Sequence, residues 1–380
     1  MRKKVTAVLL LSLGLLLLLS LPASALPSLS GNGKEEPQSG TESNPYWDTL
    51  VQIAPPEAEG ALGEGATDVR VGLEYFYSLV LGSARGGWDG ALRLLLSLVG
   101  LTLLGGVAAL LCKDADTQTR PALSLLSSAA MALGLYACLG SVLSRTAAYL
   151  EDLLTFSEGL APILGGVLVS GGSVGTAAVA TGSLSALLLI LEKLCVGVLS
   201  PLLGISLAFS LLGAISPSLR LDGITKCLRG TYLTLLGVMC TVATASFSMQ
   251  SVLSATKDSL AMKTARYAVG NMIPIVGGTL GASLGTLGAS LAAVKNGVGI
   301  GAVAVVLSLA VPCLVELYLS RLSLSLAEAF SRLLGFETGE KLLGEFRHAL
   351  DMLLGVTAFT SLSFLLYLAV FVKTALPYGL

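Results

Sequence analysis

Thr256–Gly278 reads TKDSLAMKTARYAVGNMIPIVGG. Lys257, Lys263 and Arg266 run straight into an apolar segment that Asn271, Pro274 and the pair Gly277-Gly278 interrupt. A helix surrounded by lipid does not tolerate such interruptions, because hydrocarbon offers no partner for a freed amide or carbonyl. Interrupted backbone at membrane depth is confined to places where protein buries it or a wet cavity borders it. The stretch therefore reads as an interior or conduit segment of a membrane protein, with the rest of the chain as scaffold around it.

Composition supports a membrane setting. Of 380 residues, 54% are hydrophobic and 12% charged, against about 25% charged in an average soluble domain. Apolar runs recur from residue 92 to residue 372, several near the ~20 residues that cross a bilayer. The expected fold is all-α, a polytopic membrane helix bundle of about six to eight membrane segments. The formal net charge of −1 comes with no basic face, so nucleic acid is not an expected partner; membrane lipid is.

Working outward, residues 1–25 have the form of a secretory signal: Arg2-Lys3-Lys4, the apolar run Val5–Leu21, then Ala23-Ser24-Ala25 as a cleavage site. An uncleaved anchor helix is the alternative. Both place residues 26–90 outside the cytoplasm, and their three basic residues against ten acids suit that side. Tyr46-Trp47, Leu50-Val51 and Leu73–Val80 are expected to form short interfacial helices. Residues 91–158 form a two-span unit, with spans near Leu92–Cys112 and Ala122–Leu143 and a polar connection at Arg145–Glu158. Further spans are expected near Leu194–Ile215, Thr231–Gln250, Gly297–Leu319 and Met352–Val372. Residues 320–350 carry too many charges to cross and have leucines at helical spacing, which predicts amphipathic helices on the surface.

Two glycine-rich segments, Gly159–Leu191 and the one that follows the Thr256–Gly278 stretch and runs to Val294, fit none of these spans. They open alike: Ala161-Pro162-Ile163-Leu164-Gly165-Gly166 matches Ile273-Pro274-Ile275-Val276-Gly277-Gly278. Ser200-Pro201 then finds Val311-Pro312, Asp222–Lys226 finds Glu337–Lys341, and Leu235–Val238 finds Leu353–Val356. The matches define a weak internal repeat, 159–255 and 256–380. Halves of equal orientation need an even number of crossings between Pro162 and Pro274, which makes each glycine-rich segment re-entrant and gives six full crossings. The loops at 113–120, 217–229 and 320–350, with nine Lys and Arg between them, are then cytoplasmic. Lys257, Lys263 and Arg266 stand against this arrangement, because they land outside. If either segment crosses fully, the count becomes seven or eight.

Interrupted segments at matching positions of two halves are the usual pointer to a transport site. Pro162, Gly165, Gly166, Lys263, Arg266, Asn271, Pro274, Gly277, Gly278, Lys295 and Asn296 are the candidate structural or conduit positions, with hinge and conduit roles both open. Glu192, Lys193 and Glu316 are polar neighbours expected at interfaces. Small-xxx-small spacings such as Gly297/Gly301 allow helices to approach closely. Enzyme signatures are weak. Ser254-x-x-Lys257 lacks the companion elements of penicillin-recognising enzymes, and Gly297-Val-Gly-Ile-Gly301 lacks the strand and acid of a dinucleotide site. There is no Walker motif, no Cys/His metal spacing, and no Ser or Cys constellation around the single His348. The chain is expected to be no enzyme and to need no cofactor.

At TKDSLAMKTARYAVGNMIPIVGG and the Lys295-Asn296-Gly297-Val298-Gly299 turn, the sequence resembles the stage III sporulation protein AE family. The resemblance implies a multi-pass component of the mother-cell (outer forespore) membrane, part of the channel complex that joins mother cell and forespore and supports late forespore development. It implies partners from the same operon, including the AA ATPase, and forespore protein Q at the extracytoplasmic region, in a role of transport or secretion. It brings no catalytic residues. A stand-alone small-solute permease built on the paired Pro-Gly-Gly segments is the competing expectation.

Overall fold

The computed structural model describes residues 45–56, 69–113, 120–170, 177–215, 221, 223–246 and 277–373. These are helical throughout apart from short turns, and no strand occurs among them. In chain order the elements are α1 (Pro45–Ile53), α2 (Val69–Lys113), α3 (Arg120–Ser170), α4 (Ala177–Leu194), a π-helical turn (Cys195–Leu199) and α5 (Ser200–Ile215). They continue with α6 (Gly223–Ser246), α7 (Gly277–Leu333) and α8 (Glu337–Lys373). Among the described residues six helices are long and apolar enough to cross a membrane: Ser78–Leu110, Leu125–Gly166, Ser185–Ile215, Gly223–Ser246, Gly301–Leu333 and Glu337–Ala369. They coincide with the six expected spans, and the protein is an all-α polytopic membrane bundle.

The helices are longer than the spans they contain. The 57 residues of α7 reach roughly 85 Å at 1.5 Å per residue, against about 30 Å of hydrocarbon. The extra length comes from segments that the sequence reading separated. The Arg145–Glu158 connection and the start of the first glycine-rich segment both extend α3, and Leu73–Val80 belongs to α2 rather than to a short interfacial helix. Lys295-Asn296, read as a turn, is helical within α7. Proline explains why these boundaries mislead. Pro162 sits inside α3 and Pro312 inside α7 without ending either helix. A proline removes one N–H and crowds the carbonyl four residues earlier, which neighbouring helices in a membrane bundle can absorb. Pro201 has a visible local effect. The Ser200 N–H bonds to the Cys195 carbonyl, and the turn before the proline widens from α to π.

Residues 320–350 do not lie on a surface as isolated amphipathic helices. They are the facing ends of α7 and α8, joined by a tight turn at Leu334–Phe336. Gly335 takes φ +66°, the left-handed conformation in which a glycine has no steric penalty. The Phe336 N–H bonds to the Ser331 carbonyl and the Gly335 N–H to the Arg332 carbonyl, the paired bonds of a Schellman helix end. Phe336 is then held in a notch on α2, where a Cβ on Gly105 would stand 2.7 Å from its ring. The charges of this hairpin pair with each other. Glu328, 5% exposed, receives Arg332 at 2.6 Å and Arg347 at 3.1 Å, and Arg332 also reaches Glu340 at 2.6 Å.

The core runs along α8. Its buried residues Leu353, Val356, Phe364, Tyr367, Leu368 and Phe371 pack against α7, α5, α3 and α4. Phe364 meets Phe156 of α3 edge-on at 5.8 Å, and Tyr232 of α6 donates to the Met352 carbonyl at 2.7 Å. Leucines and valines on α2, α3 and α6, such as Leu96, Leu104, Leu133 and Val238, are exposed, as a lipid-facing belt requires. The two ends of the bundle differ. At one end Phe336 and Met131 both reach the surface at Gly105, Leu221 approaches Gly213, and Arg229 pairs with Glu345. The ends that flank 114–119 and 216–220 therefore gather with the α7–α8 turn. At the other end α1 lies across α3 and α7. Ile53 packs on Gly159 and Tyr46 on Gly166, while Trp47 and Leu50 fill the surface at Gly301.

Two stability tests follow from these contacts. A Cβ at Gly301 would stand 2.8 Å from Trp47 and 3.0 Å from Leu50, so Gly301→Leu should displace α1 at a cost of about 1–3 kcal/mol. In a Trp88→Phe background, Trp47 fluorescence should shift to the red and become accessible to an aqueous quencher, and Trp47→Ala should recover most of the lost stability. Arg229 and Glu345 form a partly buried pair that also engages Ser210. Each single change, Arg229→Met or Glu345→Met, should lower the unfolding midpoint in detergent. The double change should recover much of the loss, with a coupling of about 1–3 kcal/mol.

Candidate functional site

The polar centre of the bundle forms around Glu192. Leu188, Leu191, Cys195 and Leu199 lie four before, one before, three after and seven after it, and all are buried. Positions at that spacing share one helix face, so the apolar stripe of α4 carries Glu192 into the core. It is 2% exposed. Lys193, one position on, points outward and pairs with Glu158 of α3 at 2.9 Å. Glu192 was expected at an interface beside Lys193, and the structure separates the two. The signal was the placement of leucine and cysteine around the acid.

Hydroxyls surround this carboxyl. Ser157 of α3, itself buried, is a polar neighbour of Glu192, and the Glu158 carboxylate acts on it electrostatically from the same helix. Neither carboxyl oxygen has a hydrogen-bond partner of good geometry among the described residues. Tyr149 of α3 and Tyr367 of α8 also lie within its field. Tyr149 shares a 2.6 Å hydrogen bond with Ser361, and Ser185 of α4 reaches Tyr367. On α8, Thr360 donates to the Val356 carbonyl at 3.1 Å and Ser361 to the Thr357 carbonyl at 2.6 Å. These hydroxyls are satisfied by their own helix, so the interior is polar without being broken.

Backbone irregularities converge on the same place. Pro162 lacks the N–H that would bond the carbonyl four residues earlier, and that residue is Glu158. The π-turn opens three residues after Glu192, and such turns occur frequently at functional sites. Pro162 itself is exposed, Gly165 has open space at its Cα, and Gly166 is the notch for Tyr46. The first Pro-Gly-Gly element is thus an unbroken helix that supports α1 and frees one carbonyl beside Glu158. In the second, Gly277 and Gly278 open α7, and Lys295 and Asn296 lie in its helical body ahead of Gly301. Lys263, Arg266, Asn271 and Pro274 lie outside the described residues. Glu316, the other polar neighbour, pairs with Arg145 of α3 at 2.8 Å. The groups brought together are therefore Glu192, Ser157, Glu158, Lys193 and the flanks of Pro162. Among the described residues no group of three or more His, Cys, Asp or Glu is placed to hold a metal ion.

This bundle has recognisable relatives. The family model described as stage III sporulation protein AE (spore_III_AE) matches residues 90–375, which takes in the six spans apart from the first turns of one. The stage III sporulation protein AE of Bacillus subtilis (strain 168) is 24% identical over 161 residues, 42% of this chain and 40% of that protein. The alignment thus spans about two fifths of that relative's length. No solved structure matches significantly. With the family model covering most of the chain and all of its core helices, the chain belongs to the stage III sporulation protein AE family.

Proposed function

We propose that this chain is a non-enzymatic membrane subunit of the channel or export complex that links mother cell and forespore, acting in the mother-cell membrane and needed for late forespore development. The observation that carries this reading is the family match over residues 90–375, laid over a six-span bundle. As a multi-pass protein of the sporulation system, it takes its partners from that system. The AA ATPase is the proposed cytoplasmic partner, since the sequence has no P-loop of its own. Protein Q is the proposed partner of the extracytoplasmic region that precedes α2.

The bundle supports one orientation. The flanks of the loops at 113–120 and 217–229 meet the α7–α8 turn at one end. That end collects the basic residues Lys113, Arg120, Lys226, Arg229, Arg332, Lys341 and Arg347, as a cytoplasmic face does. The opposite end, with α1 and the Glu158–Lys193 pair, is then extracytoplasmic. Six crossings are proposed, the number of described helices long and apolar enough to span a membrane. The first glycine-rich segment forms the end of α3 and the start of α4, and the helical part of the second begins α7.

Two measurements check this reading. Cys227 is exposed and free near the start of α6, at the end of the bundle that holds the α7–α8 turn. A membrane-impermeant maleimide should label it in inverted vesicles and not in intact cells, with Cys227→Ser as control; the reverse pattern would invert the orientation. In a sporulating host, deletion should arrest spores at a late engulfed stage and the wild-type gene should restore them. The purified chain should co-purify with the ATPase yet pass no solute in proteoliposomes. Solute flux by the chain alone would favour the stand-alone permease.

A further inference from the structure

We propose that Glu192 is an intramembrane proton-exchange site: the acid is held neutral inside the bundle and trades its proton with the Glu158–Lys193 pair past the Ser157 hydroxyl. The inference rests on the bundle alone and not on the role of the complex.

An ionised carboxylate in a low-dielectric interior needs a cation or several donors to offset its lost hydration. Glu192 has neither among the described residues. Lys193, adjacent in sequence, is turned away to Glu158. Arg145, Arg229, Arg321, Arg332 and Arg347 are each engaged with another acid. The groups that do face Glu192 are Ser157, Glu158 and Tyr149 from α3, Cys195 from its own helix and Tyr367 from α8. None of these supplies a positive charge, and Glu158 supplies a negative one. The neutral acid is the form that such surroundings accommodate.

Its position allows exchange rather than permanent storage. Glu192 lies near one end of its span, Ser185–Ile215, and Glu158 near the corresponding end of Leu125–Gly166. Glu158 and Lys193 are about half exposed, at 46% and 63% of their side chains, and a charged pair on the outer surface near a span end belongs toward the interface. Pro162 leaves the Glu158 carbonyl without its helical donor, and the widened turn at Cys195–Leu199 loosens α4 just beyond the acid. When the Lys193–Glu158 pair opens, the Glu192 proton passes to the Glu158 carboxylate. Glu192 becomes the carboxylate and Glu158 the acid, with the Lys193 ammonium left beside Glu158 on the outer surface of the bundle. The two carboxyls carry one negative charge between them before and after the transfer, while the Glu158–Lys193 pair passes from neutral to positive until solvent takes the proton from Glu158.

The full-length protein in lipid vesicles provides the test, with dicyclohexylcarbodiimide, which reacts with protonated carboxyls in apolar surroundings, as probe. At neutral pH peptide mass spectrometry should find the adduct at Glu192, with loss of that labelling in Glu192→Gln. Infrared spectra should show a protonated-carboxyl band that is absent in Glu192→Gln, and its exchange in D2O should slow severalfold in Ser157→Ala. Because Gln replaces a neutral acid, Glu192→Gln should keep the wild-type unfolding midpoint in detergent. Absence of both adduct and band would overturn the proposal. So would a marked stability loss in Glu192→Gln, which would reveal a paired carboxylate, or protection by sodium at fixed pH, which would reassign the site to that cation. Unchanged exchange in Ser157→Ala would remove the route past that hydroxyl.

Discussion

Inside hydrocarbon every backbone N–H and C=O must find its partner within the protein, and this requirement organises the molecule. It explains why a chain rich in glycine and proline is helical over almost all its described length. In water, a helix-interior proline costs about 3 kcal/mol and a glycine about 1 relative to alanine, so Pro-Gly-Gly reads as a break. In lipid the alternative to helix is a set of unsatisfied groups, each costing several kcal/mol, and the helix continues. The three described helix-interior prolines show graded responses: α3 and α7 continue through Pro162 and Pro312, and the turn before Pro201 widens into a π-turn.

This accounts for what was legible in the sequence. The six spans were, because a run of apolar residues near the length of a bilayer has few other uses. Their ends were not. Helix α3 passes through the polar stretch Arg145–Glu158 because that stretch carries a buried face of its own, with Tyr149, Leu150, Leu153 and Phe156 pointing to the core. Charge count similarly misassigned 320–350. Its acids and arginines neutralise each other across the α7–α8 hairpin, as at Glu328 between Arg332 and Arg347, and Leu324, Leu342, Leu343 and Leu350 are buried against protein while Leu322, Leu326, Leu333 and Leu334 stay exposed. Pairing across a turn depends on geometry that a linear charge count does not contain.

Part of the candidate site was visible for the same reason. Pro162, Gly165 and Gly166 were singled out as a break, and the structure puts them at a junction instead. Gly166 receives Tyr46, while Pro162 leaves open the carbonyl of Glu158. Glu192 was noticed but placed at an interface, since an Glu-Lys pair in sequence looks like a polar boundary. A helix separates adjacent residues by about 100°, which is enough to send Lys193 outward to Glu158 and Glu192 inward to the core.

The shape role and the chemical role of the first Pro-Gly element therefore meet. Helix α1 is seated by contacts with Gly159, Gly166 and Gly301, and Gly159 directly follows the acid whose carbonyl Pro162 frees. A short helix from the N-terminal region thus rests over the place where α3 changes from a regular span to a polar end. Ile53 of α1 packs against Gly159, the residue next to the Glu158 of the Glu158–Lys193 pair. The glycines make that contact close, because a Cβ at Gly159 would stand 3.3 Å from Ile53 and one at Gly166 3.0 Å from Tyr46. Selection for a flat seat beneath α1 accounts for small residues on α3 and α7 without requiring that either glycine touch a transported molecule.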